Sequence, residues 1–595
     1  MSADILNTNG QTTLAPIQTI PPELLIHIFS LLTSLDTPDV LKAFIADASG
    51  PYTIRTTSLL RPLLGVCRIW RHIALNTPAL WSSVSCVRDS YNQEDNAPIH
   101  VSRLPPGCPG EHIPLSVYAE IPTLDDALYR DFFKAHGHQI EELIVRVYDA
   151  GYHGGTMAGD VLLSTASPRA LKRLVLLGSG ILPMTSYPFT ERRLFDPSVF
   201  ELTSLTLQNL PLLPTLAIER CTRLTRFVLA HGYFGAPEGL PPVDRVLRML
   251  TCMPALREVY VEELRFAEST DPRVLPATVS LPQLRKLRLS SGPAAASLLS
   301  RLTLPQTCLV RLETDLLGEG EIQSVVSAVE RMRWAQAKVH CVWDGRGWGR
   351  GGLQHVSLQV VGPASQNRDH SHGQGGLRID LYCRSVGTDE DFVQAMRAIL
   401  SKPPFVGAEE VWLSGTKTSV LLDAVEPALS EARAIHLLSL NAFSTRDAGA
   451  LWPRRTAWGG WEAEFGSLPH LRALHVCLRD KRGLSSLMDL LRARAATGHP
   501  VVRLVVSYRL PRDTRAATYE AEEIRKTLDA HVKEVEIGED LYDRYAWWKI
   551  VPRECTAFEE THMYWPAWIE GAAQDLAGRF HMVTGRDVVA FGDSY

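Results

Sequence analysis

Apolar residues in the first 85 positions of the chain recur with the spacing of two or three short amphipathic helices. Within "IPPELLIHIFSLL", residues 20–32, they fall at offsets 0, 1, 4, 5 and 8 from Leu24, and two prolines precede them where a helix begins. In residues 59–84 they fall at offsets 0, 3, 4, 7, 10 and 11 from Leu63, and Asn-Thr-Pro ends the pattern. A bundle this small buries little surface, so we expect either a partner or the rest of the chain to cover its apolar stripes.

Beyond residue 135 a different pattern repeats: an apolar residue, two variable residues, an apolar residue, one variable residue and an apolar residue. It occurs nine times, for example as "LKRLVL" at 171–176 and "LRKLRL" at 284–289. The last two apolar positions alternate as one face of a strand requires, and helical spacing lies between several phrases. The phrases resemble an irregular leucine-rich repeat array, which implies a solenoid of short parallel strands and helices. We expect the charged residues between the leucines to face solvent, namely Lys172, Arg173, Arg257, Glu258, Arg285, Lys286 and Arg288.

The two N-terminal stretches together resemble an F-box. The segment "VCRIWRHIALNTPALW" at 66–81 follows "IPPELLIHIF" at 20–29 in the order that the family pattern requires. The chain departs from the pattern at Ile20, where the family has leucine, and in the longer, more polar connection at 33–58. The resemblance implies binding to a Skp-family adaptor and, through it, to a cullin scaffold. By this resemblance the adaptor-binding residues are Ile20, Pro21, Leu24, Leu25, Ile28, Phe29, Val66, Cys67, Trp70 and Trp81.

The patterns predict an α/β protein with a small all-α N-terminal F-box module followed by an irregular leucine-rich-repeat-like solenoid. The predicted regions are a disordered segment at 1–19, the F-box module at 20–85 with an insertion at about 33–58, a linker and the start of the solenoid at 86–135, the solenoid at 136–540 with an insertion at about 335–405, and an aromatic-rich tail at 541–595. The tail either caps the last repeat or binds a partner through Trp547, Trp548, Tyr564, Trp565 and Trp568.

Composition narrows the classes of function. A chain of 595 residues is too long for one hydrophobic core. A net charge of −5 from 61 basic and 66 acidic residues gives no overall field that would attract nucleic acid or an anionic membrane. The ten cysteines form no CxxC pair, and neither a basic leader nor an apolar run of about 18 residues is present. We therefore expect a soluble protein of the cytoplasm or nucleus, with reduced thiols and without nucleic-acid or membrane partners.

Motifs for chemistry are weak elsewhere in the chain. The glycine-rich stretch at 343–353 and the possible metal donors Asp369, His370 and His372 are interpreted as solvated loops. No nucleotide cradle or nucleophile elbow is present, so we predict no catalytic residue, metal or cofactor. The resemblance implies a non-enzymatic substrate-recognition subunit of a cullin-RING (SCF-type) ubiquitin ligase, whose repeats bind an unknown protein target. Two alternatives remain open: a scaffold unrelated to ubiquitin, and an α/β enzyme with a buried active site.

Overall fold

The chain divides into two compact units, Met1–Gly239 with Glu560–Tyr595, and Leu240–Glu559. The computed structural model describes residues 20–29, 63–77, 80, 82–87, 100–101, 114–121, 133–147, 170–178, 201–208, 221–230, 243–262, 278–290, 293–315, 319–332, 338–344, 354–363, 374–383, 389–403, 405–415, 418–439, 468–478, 481–508 and 514–539. The predicted disordered segment, the insertion at 33–58 and the aromatic-rich tail lie outside these residues. In the described ranges, no helix has both the length and the apolar character needed to cross a membrane.

The first unit begins with a small helical module. Helix α1 covers residues 22–29, α2 covers residues 63–66, and α3 covers Arg68–Leu75. The backbone N–H groups of Leu24 and Leu25 both donate to the carbonyl oxygen of Pro21 at 3.1 Å. Proline is suited to this position because the first helical turn has no use for its missing N–H group. The start of α1 therefore lies where the two prolines predict it.

The same unit contains a sheet whose described strands follow the order β2-β1-β3-β4-β5-β6-β7. These strands are β1 (Ser83–Val87), β2 (His100–Val101), β3 (Leu115–Ile121), β4 (Ile140–Val147), β5 (Arg173–Gly178), β6 (Ser204–Gln208) and β7 (Arg226–Ala230). All of their pairings are parallel except that of β1 with β2. One in-register row across the sheet consists of the buried residues Leu143, Leu174, Leu205 and Phe227. Ile144 and Val175, on the opposite face, are buried as well, so the sheet is covered on both faces at this level.

The second unit contains a longer sheet, flanked by helices. Its described strands are β8 (Glu258–Glu262), β9 (Val279–Ser280), β10 (Lys286–Ser290), β11 (Leu302–Thr303), β12 (Leu309–Asp315), β13 (Lys338–Asp344), β14 (Gln354–Pro363), β15 (Gln374–Cys383), β16 (Glu410–Gly415), β17 (Ala434–Ser439), β18 (Ala473–Leu478), β19 (Arg503–Tyr508) and β20 (Glu534–Glu539). Its described helices are α4 (Val243–Thr251), α5 (Pro293–Ser300), α6 (Glu319–Val329), α7 (Asp389–Leu400), α8 (Thr418–Val425), α9 (Lys481–Ala496) and α10 (Thr514–Asp529). The strand order is β8-β10-β12-β15-β14-β13-β16-β17-β18-β19-β20, and β9 pairs separately with β11. The fold is therefore mixed α/β with a large, predominantly parallel sheet and an N-terminal helical module.

The range 335–405, predicted as an insertion with glycine-rich loops, contributes β13, β14, β15 and α7 to the described structure. β15 pairs with β12 and β13 pairs with β16, so β14 lies between β13 and β15 and is antiparallel to both. Val356, Leu358 and Val360 alternate along β14 and are buried, as a strand with one apolar face requires. The repeated phrase is lost in this range while the sheet continues through it.

The nine repeated phrases all lie on parallel strands, namely β4, β5, β6, β7, β8, β10, β18, β19 and β20. The first apolar residue of every phrase is buried beside the start of its strand. Of the charged residues between the leucines, Lys172, Arg257 and Arg285 are exposed, as predicted. The prediction is wrong for Arg288, which is only 4% exposed.

Candidate functional site

The helical module has a small core of its own. Its buried residues are Leu25, Phe29, Leu63, Ile73, Ala74 and Leu80. The ring of Phe29 meets that of Trp70 edge-on, with the ring centroids 5.0 Å apart and the planes at 65°. Aromatic pairs favour this arrangement because the positive edge of one ring lies against the negative face of the other. α1 and α3 are thus held together by side chains of the module itself.

Several large apolar side chains of the module remain outside this core. Leu24 is 54% exposed, Ile28 41%, and Val66 and Ile69 50% each. Across the described part of the chain, the other large hydrophobic side chain exposed to this degree is Val406, at 43%. The exposed apolar residues are therefore concentrated in the helical module, and such concentration is typical of an interaction surface.

Local hydrogen bonds fix the junction between α2 and α3, which presents Val66 and Ile69. The Sγ atom of Cys67, the N-cap of α3, accepts a hydrogen bond from the Trp70 backbone N–H at 3.4 Å. The Nε atom of Arg71 donates to the carbonyl oxygen of Leu64 at 2.8 Å. These contacts satisfy a free N–H group at the start of α3 and tie α3 back to α2.

The predicted adaptor-binding residues fall into four groups. The exposed group contains Pro21, Leu24, Ile28 and Val66. The half-buried group contains Ile20, Cys67 and Trp70. The core group contains Leu25 and Phe29, and Trp81 lies outside the described residues. Sequence reasoning missed Ile69, although its position three residues after Val66 follows the helical spacing of the same segment.

A chain of buried ion pairs crosses the polar face of the second unit's sheet. Arg288 of β10 lies 3.1 Å from Glu262 of β8 and 3.0 Å from Glu313 of β12. Arg311 of β12 lies 2.8 Å from Glu313 and 2.9 Å from Asp380 of β15. This chain of contacts explains why Arg288 is buried despite its place between two leucines, because carboxylates on both neighbouring strands pair with it.

The electrostatic surroundings shift the pKa values of groups in this network. Asp380 also lies 3.0 Å from Arg378, so both Arg311 and Arg378 contact this carboxylate. Burial alone would raise the pKa of Glu313, but the nearby guanidinium groups of Arg288 and Arg311 lower it below its ordinary value. For Arg311, burial alone would lower the pKa, and the carboxylates of Glu313 and Asp380 raise it.

An aromatic and imidazole cluster lies further along the same sheet. Trp412 of β16 stacks on His436 of β17 with the ring centroids 3.8 Å apart and the planes at 11°. Glu410 Oε1 accepts a hydrogen bond from Trp412 Nε1 at 2.6 Å and lies 3.3 Å from His436 Nε2. The Nδ1 atoms of His436 and His475 are 3.4 Å apart. Burial, and then the proximity of His436, lower the pKa of His475 to about 4, so His475 is neutral at pH 7.

A metal-binding cluster is not found in the part of the chain that the structure describes. Among the residues described, no group of three or more His, Cys, Asp or Glu side chains is placed to hold a metal ion. The possible donors Asp369, His370 and His372 lie outside those residues. The exposed apolar surface of the helical module is therefore the candidate site with the clearest geometry.

Comparison with known proteins identifies this module. An F-box-like domain is found at residues 17–87, where the model of the F-box-like family matches the chain. The matched range contains α1, α2 and α3 together with all ten residues that the resemblance assigns to adaptor binding. No curated protein matches the chain. An F-box-like domain suggests the role of an SCF-type adaptor subunit and implies binding to a Skp-type adaptor.

Proposed function

We propose that this protein is a substrate-recognition subunit of a cullin-RING ubiquitin ligase of the SCF type, and that it performs no chemistry itself. The observation that carries the proposal is the concentration of exposed apolar side chains in an F-box-like domain, at Leu24, Ile28, Val66 and Ile69. A Skp-family adaptor would cover these side chains and connect the protein to the cullin scaffold. Such ligases act in the cytoplasm and nucleus, where we place the protein.

The division of the module into core and surface supports this assignment. Leu25 and Phe29 hold α1 against α3, so their contribution to binding would be indirect. Covering each half-exposed leucine, isoleucine or valine would contribute about 1 kcal/mol to the binding free energy. The four residues together would therefore contribute substantially to the affinity for the adaptor. The half-buried Trp70 would contribute at the edge of the same surface.

We propose that the α/β body selects the protein target. On this proposal the strands with repeated phrases stack as an irregular leucine-rich-repeat-like solenoid, in which each unit covers the apolar face of its neighbour. The partly exposed positions of the strands would then be available to a target, and the half-buried, stacked Trp412 and His436 are suitable anchors. Holding a target beside the ligase raises its effective concentration at the site of ubiquitin transfer.

Co-purification with a Skp-family adaptor tests the proposal. A variant with Leu24→Asp and Ile69→Asp places two charges in the exposed apolar surface without touching the module core, so we expect adaptor recovery to fall about tenfold or more. Val406→Asp is the matched control, because Val406 is similarly exposed but lies outside the module. Equal recovery of adaptor by the wild type, the double variant and the control would contradict the proposed function.

A further inference from the structure

Two exposed arginines lie side by side where strands β8 and β10 begin. Arg257 directly precedes β8, and Arg285 directly precedes β10. The backbone N–H of Arg285 donates to the carbonyl oxygen of Arg257 at 2.8 Å, so the two residues are neighbours across the parallel pair. Neighbouring strands are about 5 Å apart, which is close enough for both guanidinium groups to contact one oxyanion.

In the part of the chain that the structure describes, no carboxylate pairs with either of these guanidinium groups. Glu258, which follows Arg257, pairs instead with Lys286, at 3.6 Å from the Nζ atom. Successive residues of a strand face opposite sides of the sheet, so this ion pair and the two arginines belong to different faces. The positive charge of Arg257 and Arg285 is therefore left for something outside the described residues to balance.

The first unit has the same backbone arrangement with opposite charges. The backbone N–H of Lys172 donates to the carbonyl oxygen of Glu141 at 2.8 Å, and Lys172 Nζ lies 2.8 Å from Glu141 Oε1. Like charges on neighbouring strands are destabilising, whereas opposite charges stabilise the pair. Arg257 and Arg285 lack this stabilisation and repel each other, and an anion bound between them would remove the repulsion.

The surroundings of the two arginines add hydrogen-bond donors. Ser280 of β9 and Thr303 of β11 are exposed register partners. Leu281 donates its backbone N–H to the carbonyl oxygen of Thr303 at 3.1 Å and begins the turn that leads to Arg285. The two hydroxyl groups thus belong to the edge of the sheet that carries the arginines, and hydroxyl groups donate readily to oxyanions.

We propose that Arg257 and Arg285 bind an acidic segment of the protein target, with a carboxylate of the segment between the two guanidinium groups. This inference rests on the proposed function, in which the α/β body selects the target. Guanidinium groups suit the role because their N–H groups pair with carboxylate oxygens in a bidentate manner. A nucleic acid or an anionic membrane requires a broad basic field, which a chain with a net charge of −5 does not supply.

Fluorescence anisotropy of a labelled polyglutamate peptide with the full-length chain tests the proposal. For an Arg257→Glu, Arg285→Glu variant we expect the peptide to bind at least about tenfold more weakly than to the wild type, because repulsion replaces attraction at the site. An Arg223→Glu, Arg492→Glu variant is the matched control. It makes the same change in net charge at exposed arginines that already pair with a carboxylate, so it should bind the peptide as the wild type does.

Three results would overturn the proposal. They are absence of peptide binding by the wild type, equal binding by all three proteins, and equal weakening in both variants, which would make net charge the cause. Recovery of a Skp-family adaptor is a separate measurement, and we expect all three proteins to recover it equally because the substitutions lie outside the helical module. Failure of the wild type to recover the adaptor would contradict the proposed function, while the peptide measurement would still decide whether this arginine pair binds acidic segments.

Discussion

Leu24 and Leu25 are neighbours in the sequence, yet they are 54% and 2% exposed. The apolar pattern of α1 predicts one broad stripe, and successive residues in a helix are separated by about 100° around its axis. A module of three short helices covers only part of a stripe this wide, so Leu25 and Phe29 enter the core and Leu24 and Ile28 stay outside. The sequence predicts the stripe but not its division, because the division depends on where α3 packs.

His475 gives a prediction at the same scale. Its pKa is lowered to about 4 by burial and by His436, so the side chain stays neutral in the folded chain until the pH approaches 4. In the unfolded chain the same side chain takes up a proton at a higher pH, near about 6.5. The stabilisation from this group is complete above the unfolded pKa of about 6.5 and is lost as the pH falls towards 4, by up to about 3 kcal/mol.

Urea unfolding of the wild type and of His475→Gln between pH 7 and pH 4 measures this loss. The variant should lose less stability on acidification, since its side chain does not titrate. A His138→Gln variant serves as the control because His138 is exposed. Parallel pH profiles for the wild type and His475→Gln would show that His475 is not the group responsible.

At the scale of strands, the repeated phrase predicts where its strands lie and that they pair in parallel, but it says nothing of the strand order in the range that lacks the phrase. Each phrase lies on a parallel strand because its alternating apolar residues need a covered face, which is a local property of the sequence. The order β12-β15-β14-β13-β16 depends on contacts between distant parts of the chain. The Arg311–Asp380 pair, for instance, joins residues 69 positions apart, and no spacing rule identifies such a partner. The burial of Arg288 was missed for the same reason.

The ion-pair network leads to a prediction for the strands that it joins. Asp380→Asn keeps the shape of the side chain but removes the charge between Arg311 and Arg378, which leaves buried guanidinium groups without full compensation. We expect the free energy of unfolding of the second unit to fall by about 3–5 kcal/mol.

Glu536→Gln is the matched control for this substitution. Glu536 pairs with Arg503 at 3.2 Å, but both side chains are well exposed. Loss of an exposed pair should cost less than about 1 kcal/mol. Thermal or urea unfolding compares the two variants, and equal destabilisation would mean that burial of the network does not decide its contribution.

For the whole molecule, the sequence separates a helical module from an α/β body, and the described structure has both. The F-box-like match at 17–87 agrees with the motif that the N-terminal stretches carry. The same reasoning does not identify a target, because the variable positions that we propose to select it follow no pattern. On the proposed function, exposed apolar residues of the helical module bind the adaptor, and the α/β body selects the target.

Hydrogen exchange of the full-length chain with and without a purified Skp-family adaptor tests the central proposal most directly. Because the adaptor would cover Leu24, Ile28, Val66 and Ile69, we expect it to slow amide exchange in residues 22–29 and 63–75 and to leave β4 to β20 unchanged. Absence of protection in both helical stretches, or protection confined to the strands of the body, would contradict the account.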